Sequence, residues 1–172
     1  MSPLAFHGHG HAHATPRDYR LVPLNVYWEV TNACALACKH CRAMAVPTPP
    51  PGELTTAEGI ALLRSLRDFG DPLPNLVFTG GDPLARPDLL ELIDEAVSLG
   101  LSVAVTPSAT PRLTRDVLVD LRAHGVTAFG TSLDASTAAR HDGIRGVAGC
   151  FDKTIEAARW IAELGVPLQV NT

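Results

Sequence analysis

Four times along this chain a helix-patterned segment runs into a glycine and then, at once or after a short Pro-containing spacer, into an apolar strand-like run. The glycines are Gly70, Gly100, Gly125 and Gly165. Glycine suits the position just past a helix because it adopts the left-handed backbone conformation without a Cβ penalty. The runs after it are Asn75–Thr79, Leu101–Thr106, Val126–Leu133 and Val166–Thr172, and a fifth run, Leu24–Val30, precedes them all. Strands alternating with helices imply right-handed crossovers and a parallel sheet. The unit lengths vary, so this is not a fixed-period repeat. Periodicity alone does not separate a doubly wound sheet from part of a (β/α) barrel.

The helices between these runs carry their own start signals. Thr55 and Glu58 form the S/T-x-x-E pattern of a capping box, and Ile60, Leu63, Leu66 and Phe69 mark an apolar face. Pro87 fits the first turn of a second helix, with Leu89, Leu90, Ile93 and Val97 directed inward. A third helix is expected over Thr114–His124 and a fourth over Phe151–Leu164.

At 172 residues the chain is most simply one domain with one core. Its net charge of −4 and its scattered lysines and arginines give no basic run for nucleic acid. No apolar stretch approaches the ~20 residues of a membrane span, and no secretory signal pattern opens the chain. A cytoplasmic location is the default expectation. His7, His9, His11 and His13 alternate with glycine and alanine, so residues 1–18 read as a flexible, weakly metal-binding tail ahead of a core at 19–172.

Three of the four cysteines, Cys34, Cys38 and Cys41, fall in one loop, Thr-Asn-Ala-Cys-Ala-Leu-Ala-Cys-Lys-His-Cys-Arg, after the first strand. That distribution favours a metal over a disulfide framework, and a reducing compartment suits it. Three thiolates leave one iron of a four-iron cubane without a protein ligand, since a fully protein-held cluster takes four. Cys150, far along the chain, reads as a buried small apolar residue. The polar residues gather where parallel α/β folds bind ligands, at the carboxyl ends of strands. They are the cysteine loop, Thr79-Gly80-Gly81-Asp82-Pro83, Thr106–Thr110, Ser132-Leu133-Asp134, and Asn171.

The C-x3-C-x2-C loop with His40 before its third cysteine resembles the cluster loop of radical S-adenosylmethionine (SAM) enzymes. Its flanks, Val-Tyr-Trp-Glu-Val-Thr-Asn-Ala-Cys and Cys-Arg-Ala, are similar to the branch that includes haem-pathway-like and SPASM-type, peptide-modifying members. The resemblance runs from about Tyr19 to Thr172. It implies a partial (βα)6 barrel, here truncated after the fifth strand, so that the chain reads as the N-terminal part of a longer enzyme. It also implies a [4Fe-4S] cluster on Cys34, Cys38 and Cys41, with SAM chelating the open iron. An electron from a reductant such as flavodoxin or ferredoxin would pass through the cluster to split SAM, giving a 5′-deoxyadenosyl radical that abstracts hydrogen from a substrate the sequence does not name.

Further site residues follow from the same resemblance. Gly80, Gly81 and Asp82 are similar to the family's GGE motif, which holds the SAM amino group. Asp82 departs from it by one methylene. Ser132-Leu133-Asp134 through His141-Asp142-Gly143-Ile144-Arg145 is similar to the SLD…HD…R segment, in which the serine and arginine orient the SAM ribose or carboxylate. Arginine suits a carboxylate through its planar fork. Ser108 is a further SAM-pocket candidate, and His40 is expected to pack beside the adenine. The rival reading from another class is a structural zinc or other non-catalytic metal-binding domain, or an inactive fragment of the enzyme.

Overall fold

In a computed structural model, which describes residues 18–172, five strands form one parallel sheet. The strands are β1 (Asn25–Glu29), β2 (Asn75–Thr79), β3 (Val103–Val105), β4 (Val126–Ser132) and β5 (Leu168–Asn171). The helices are α1 (Thr56–Ser65), α2 (Leu89–Ser98), α3 (Arg115–Ala123), α4 (Ala138–Arg145) and α5 (Cys150–Glu163). The expected His-rich tail lies outside the described residues.

The strand order β1-β2-β3-β4-β5 resolves the ambiguity left by periodicity. A doubly wound sheet reverses direction part-way, which puts helices on both faces. Here each right-handed crossover adds the next strand on the same side, so the helices collect on one face, as in a barrel wall. One register row crosses the sheet through Trp28, Phe78, Val105, Phe129 and Leu168, and a second through Val26, Leu76, Val103 and Val126. Both rows pack into a core with Leu63, Leu92, Ile93, Leu118, Leu121 and Ile161 from the helices. Val77, on the alternate parity, stays outside that cluster and marks the other face.

The helix signals are present in atomic detail. Thr55 and Glu58 make both bonds of the capping box, and Thr114 caps α3 by accepting from the backbone of Val117. All four glycines after the helices have positive φ. Two expected inward residues lie outward instead. Phe69 is exposed because α1 ends at Ser65 and the chain tightens into a 3₁₀ turn over Leu66–Phe69, which rotates it off the helix face. Val97 is exposed because Leu89, Leu92, Ile93 and Ala96 form the i, i+3, i+4, i+7 stripe of α2 and Val97 flanks it. Helix α4 is an addition to the four helices that the sequence predicts. It has a glycine inside it and buries only His141, so it carries no amphipathic signal.

A candidate cluster and SAM cleft at the carboxyl ends of the strands

The loop from Asn32 to Val46 is a short, irregular segment, and its shape comes from the elements that grip it. Cys34 N donates to Val46 O at 2.8 Å and Val46 N donates to Asn32 O at 2.9 Å, which closes the loop on itself. Glu53 Oε1 accepts from the Thr31 hydroxyl and the Asn32 amide, both at 2.8 Å, tying the loop's entry to the far end of the Pro-rich connection. Ala37 N and Lys39 N donate to the carbonyls of Arg145 and Ile144 at the end of α4. From β2, Gly81 N donates to Thr31 O and Asp82 N to Ala33 O, each at 2.8 Å.

These contacts explain three glycines. A Cβ on Gly80 would stand 2.4 Å from Thr31 O, and one on Gly81 would stand 2.5 Å from Ala33 O. A Cβ on Gly146 would meet Ala37 O at 2.5 Å, and that residue also needs φ +73°. The glycine pair therefore packs against the cysteine loop, whatever ligand it also faces. Gly146 went unnoticed because α4 itself had no sequence signal.

The three cysteines are free and line one cleft of about 310 Å³. The same cleft is lined from every strand end, by Glu29, Thr79 with Gly80 and Gly81, Thr106 with Ser108, Ser132, and Asn171. Each sulfur accepts from its own N–H donor. Leu36 N donates to Cys34 Sγ at 3.4 Å, Ala45 N to Cys41 Sγ at 3.3 Å, and Arg145 Nη1 to Cys38 Sγ at 3.7 Å. Burial pushes the Cys34 thiol up from its ordinary pKa. Among the described residues no three His, Cys, Asp or Glu side chains converge on a point that a single metal ion would fill. Three free thiols on one cleft, each with an N–H donor, suit the ligand set of an iron–sulfur cluster, whose sulfurs draw such hydrogen bonds.

The remaining expected residues divide into those on the cleft and those behind it. Ser132, Ser108, Arg145 and His40 line it together with Gly80 and Gly81. Ser108 Oγ donates to Gly81 O at 2.7 Å and lies 3.7 Å from Cys34 Sγ. His40 stands at the rim, half exposed, with Nε2 3.5 Å from Asp134 Oδ1. Asp82 is behind the wall at 1% exposure and does not line the cleft. Its carboxylate accepts from the Thr110 hydroxyl at 2.7 Å and from the amides of Leu84 and Ser108, so it ties the β2 loop to the β3 loop. Burial raises its pKa, against the pull of those donors.

Two arginines line the cleft: Arg42 is exposed and pairs with Glu29 at 2.8 Å, whereas Arg145 is largely buried. Its Nε and Nη2 clasp both oxygens of Asp134 at 2.6 and 3.0 Å, which leaves Nη1 for Cys38. Burial works against the guanidinium charge, but the Asp134 pair offsets it and the net pKa shift is upward. His141 is fully buried beside this pair. Its Nδ1 accepts from Asp134 N at 3.1 Å, which places a ring proton on the unpartnered Nε2, and burial lowers its pKa. Asp142 accepts from Gly149 N and Phe151 N, capping α5 at 2.7 Å each. Cys150 is buried against Cys34 and Leu36 and also lines the cleft, and burial pushes its thiol up to about 11.

The residues that sequence reasoning missed act at long range. Glu53 reaches back across 21 residues, and buried Arg86 joins Val30 O, Leu54 O and Asp88 at 2.8 to 3.0 Å. Neither belongs to a local pattern, so no spacing announces them.

Comparison with known proteins agrees with this geometry. The family described as the Radical SAM superfamily matches residues 28–172. An AdoMet-dependent heme synthase of Oleidesulfovibrio alaskensis is 43% identical over 147 residues, which is 86% of this chain and 37% of that protein. A PqqA peptide cyclase of Rhodopseudomonas palustris is 35% identical over 150 residues, 87% of this chain and 39% of that protein. The chain thus spans somewhat over a third of the length of these curated relatives. In fold it is similar to SuiB of Streptococcus suis, crystallised with S-adenosylmethionine, with TM-score 0.72 and 20% identity over 88% of this chain and 34% of that one. The family match covers the cysteine loop and every strand end that lines the cleft. The chain belongs to the radical SAM superfamily.

Proposed function

We propose that this chain is the cluster- and SAM-binding part of a radical SAM enzyme of the haem-pathway-like, SPASM-type branch. The observation that carries the reading is the single cleft, where three free cysteines, each with its own N–H donor, meet the carboxyl ends of all five strands. When bound, a [4Fe-4S] cluster with SAM on its open iron supplies reductive cleavage of the sulfonium and a 5′-deoxyadenosyl radical for hydrogen abstraction.

The chain's own residues supply placement. Cys34, Cys38 and Cys41 hold the cluster. The backbone of Gly80 and Gly81 receives the SAM amino group, and Asp82 fixes that backbone from behind instead of reaching the ligand. Ser132 and Ser108 offer hydroxyls along the wall, Arg145 stands by the carboxylate end, and His40 packs beside the adenine. A low-potential donor such as flavodoxin or ferredoxin would be the source of the electron. Among the described residues no helix is long and apolar enough to cross a membrane. The names of the similar proteins span haem synthesis and peptide cyclisation, so the substrate stays open.

The test is anaerobic reconstitution with iron and sulfide, then EPR of the reduced protein with and without SAM, then an assay for 5′-deoxyadenosine. A signal that changes on adding SAM supports the reading, and Cys34→Ala abolishes it. Colourless protein carrying zinc after anaerobic purification overturns it.

A further inference from the structure

We infer that Arg145, held in place by Asp134, sets the reduction potential of the cluster through its hydrogen bond to Cys38. This rests on the cluster reading above and gives Arg145 a role beyond contact with SAM. The geometry assigns two of its three guanidinium nitrogens to Asp134 at 2.6 and 3.0 Å and turns the third to Cys38 Sγ at 3.7 Å. The other two sulfurs accept from backbone amides, which no side-chain substitution removes. Cys38 alone takes its hydrogen bond from a charged side chain.

Two further features keep that donor in position. The Asp134 backbone amide is fixed by buried His141 Nδ1 at 3.1 Å, and the Arg145 carbonyl accepts from Ala37 N in the cysteine loop at 3.1 Å. Arg145 is thereby tied to the loop by its backbone as well as by its side chain. At 14% side-chain exposure it is little screened by solvent.

The sign follows from charge. Reduction adds one electron to the cluster. An N–H donor and a positive charge at a ligand sulfur stabilise the reduced form and raise the potential. Asp134 acts in the opposite sense while orienting the donor, so it is a positioning residue whose own charge lowers the potential.

The experiment is an anaerobic redox titration of the reconstituted protein, followed by EPR of the reduced cluster and performed without SAM, so that loss of a SAM contact does not enter. Arg145→Gln is expected to lower the reduced-to-oxidised ratio at fixed potential about tenfold, a shift of about 59 mV for a one-electron couple. Arg145→Lys keeps the positive charge but loses the planar fork that reaches Cys38 while clasping Asp134, and is expected to lower the ratio by less than Arg145→Gln does. An Arg145→Gln potential equal to or above that of the wild type overturns the inference. If Arg145→Gln takes up no cluster, Arg145→Lys decides: a potential below that of the wild type supports the inference, and an equal or higher one overturns it. A wild-type chain that takes up no reducible cluster is a different result, which removes the cluster reading and this inference with it.

Discussion

Replacing Gly81 with alanine tests whether the glycine pair serves the cysteine loop. The new Cβ would lie 2.5 Å from Ala33 O, 2.7 Å from Asn32 O and 2.8 Å from the Ala33 carbonyl carbon, all backbone atoms with no rotamer to change. Ordinary contact begins near 3.4 Å, so the two backbones must part by about 1 Å. That separation stretches the 2.8 Å bonds from Gly81 N to Thr31 O and from Asp82 N to Ala33 O beyond hydrogen-bond range. Two backbone hydrogen bonds contribute about 1 kcal/mol each, and relieving the overpacking costs about 1–3 kcal/mol more. The expected loss is about 3–5 kcal/mol, read as a lower urea midpoint, with the iron bound per chain after reconstitution falling in parallel. Gly143→Ala is the control. Gly143 has open space around it and an ordinary φ within α4, so alanine there is expected to stabilise by about 0.5–1 kcal/mol. A Gly81→Ala protein with the wild-type midpoint and full iron content would refute the argument, as would equal damage from Gly143→Ala.

Other perturbations probe the supports behind the cleft. Asp82→Glu restores the side chain of the family motif but adds a methylene to a site that is 1% exposed and already satisfied by three donors. A loss of about 1–3 kcal/mol is expected, a Tm drop of roughly 3–9 °C, and a Tm at or above the wild type counts against the buried-tie role. Arg86→Met strands Asp88 and the carbonyls of Val30 and Leu54, so about 3–5 kcal/mol should be lost in urea unfolding; a loss below about 1 kcal/mol would contradict it. His124 has its pKa raised by the 2.6 Å hydrogen bond to Asp94. A raised folded pKa means stability fully present below the unfolded value of about 6.5 and lost as pH rises through the folded one. The pair is at the surface, so the effect is a fraction of a kcal/mol, and Asp94→Asn should flatten it in midpoints measured from about pH 6 to about pH 8.

How much of the fold was legible depended on whether a signal was local. Thr55 with Glu58, Thr114, and the four post-helix glycines are each contained within a few residues, and each does in the structure what its spacing announces. Strand order was not legible from periodicity, because a crossover leaves the same pattern whichever side its strand is laid on. Helix α4 was invisible for a related reason. Its sequence Ala-Ala-Arg-His-Asp-Gly-Ile-Arg has one buried side chain, His141, and owes its place to the cysteine loop hydrogen-bonded across its end.

The same distinction sharpens the site. The cysteines, Gly80, Gly81, Ser108, Ser132, Arg145 and His40 share one cleft, as a motif reading expects of residues at strand ends. What no motif conveys is which residues face the ligand and which brace those that do. Asp82 occupies a motif position and yet is fully engaged behind the wall, while Glu53, outside every motif, grips the loop's entry from 21 residues away. A carboxylate one methylene shorter than the motif's glutamate meets Thr110, Ser108 and Leu84 first, and those donors capture it. In the proposed SAM pocket the backbone of Gly80 and Gly81 would meet the ammonium, and Asp82 would brace that backbone from behind. This division of labour makes a sharp demand: substitutions at Asp82 should alter stability before they alter SAM affinity, whereas substitutions at Ser132, which lines the cleft, should do the reverse.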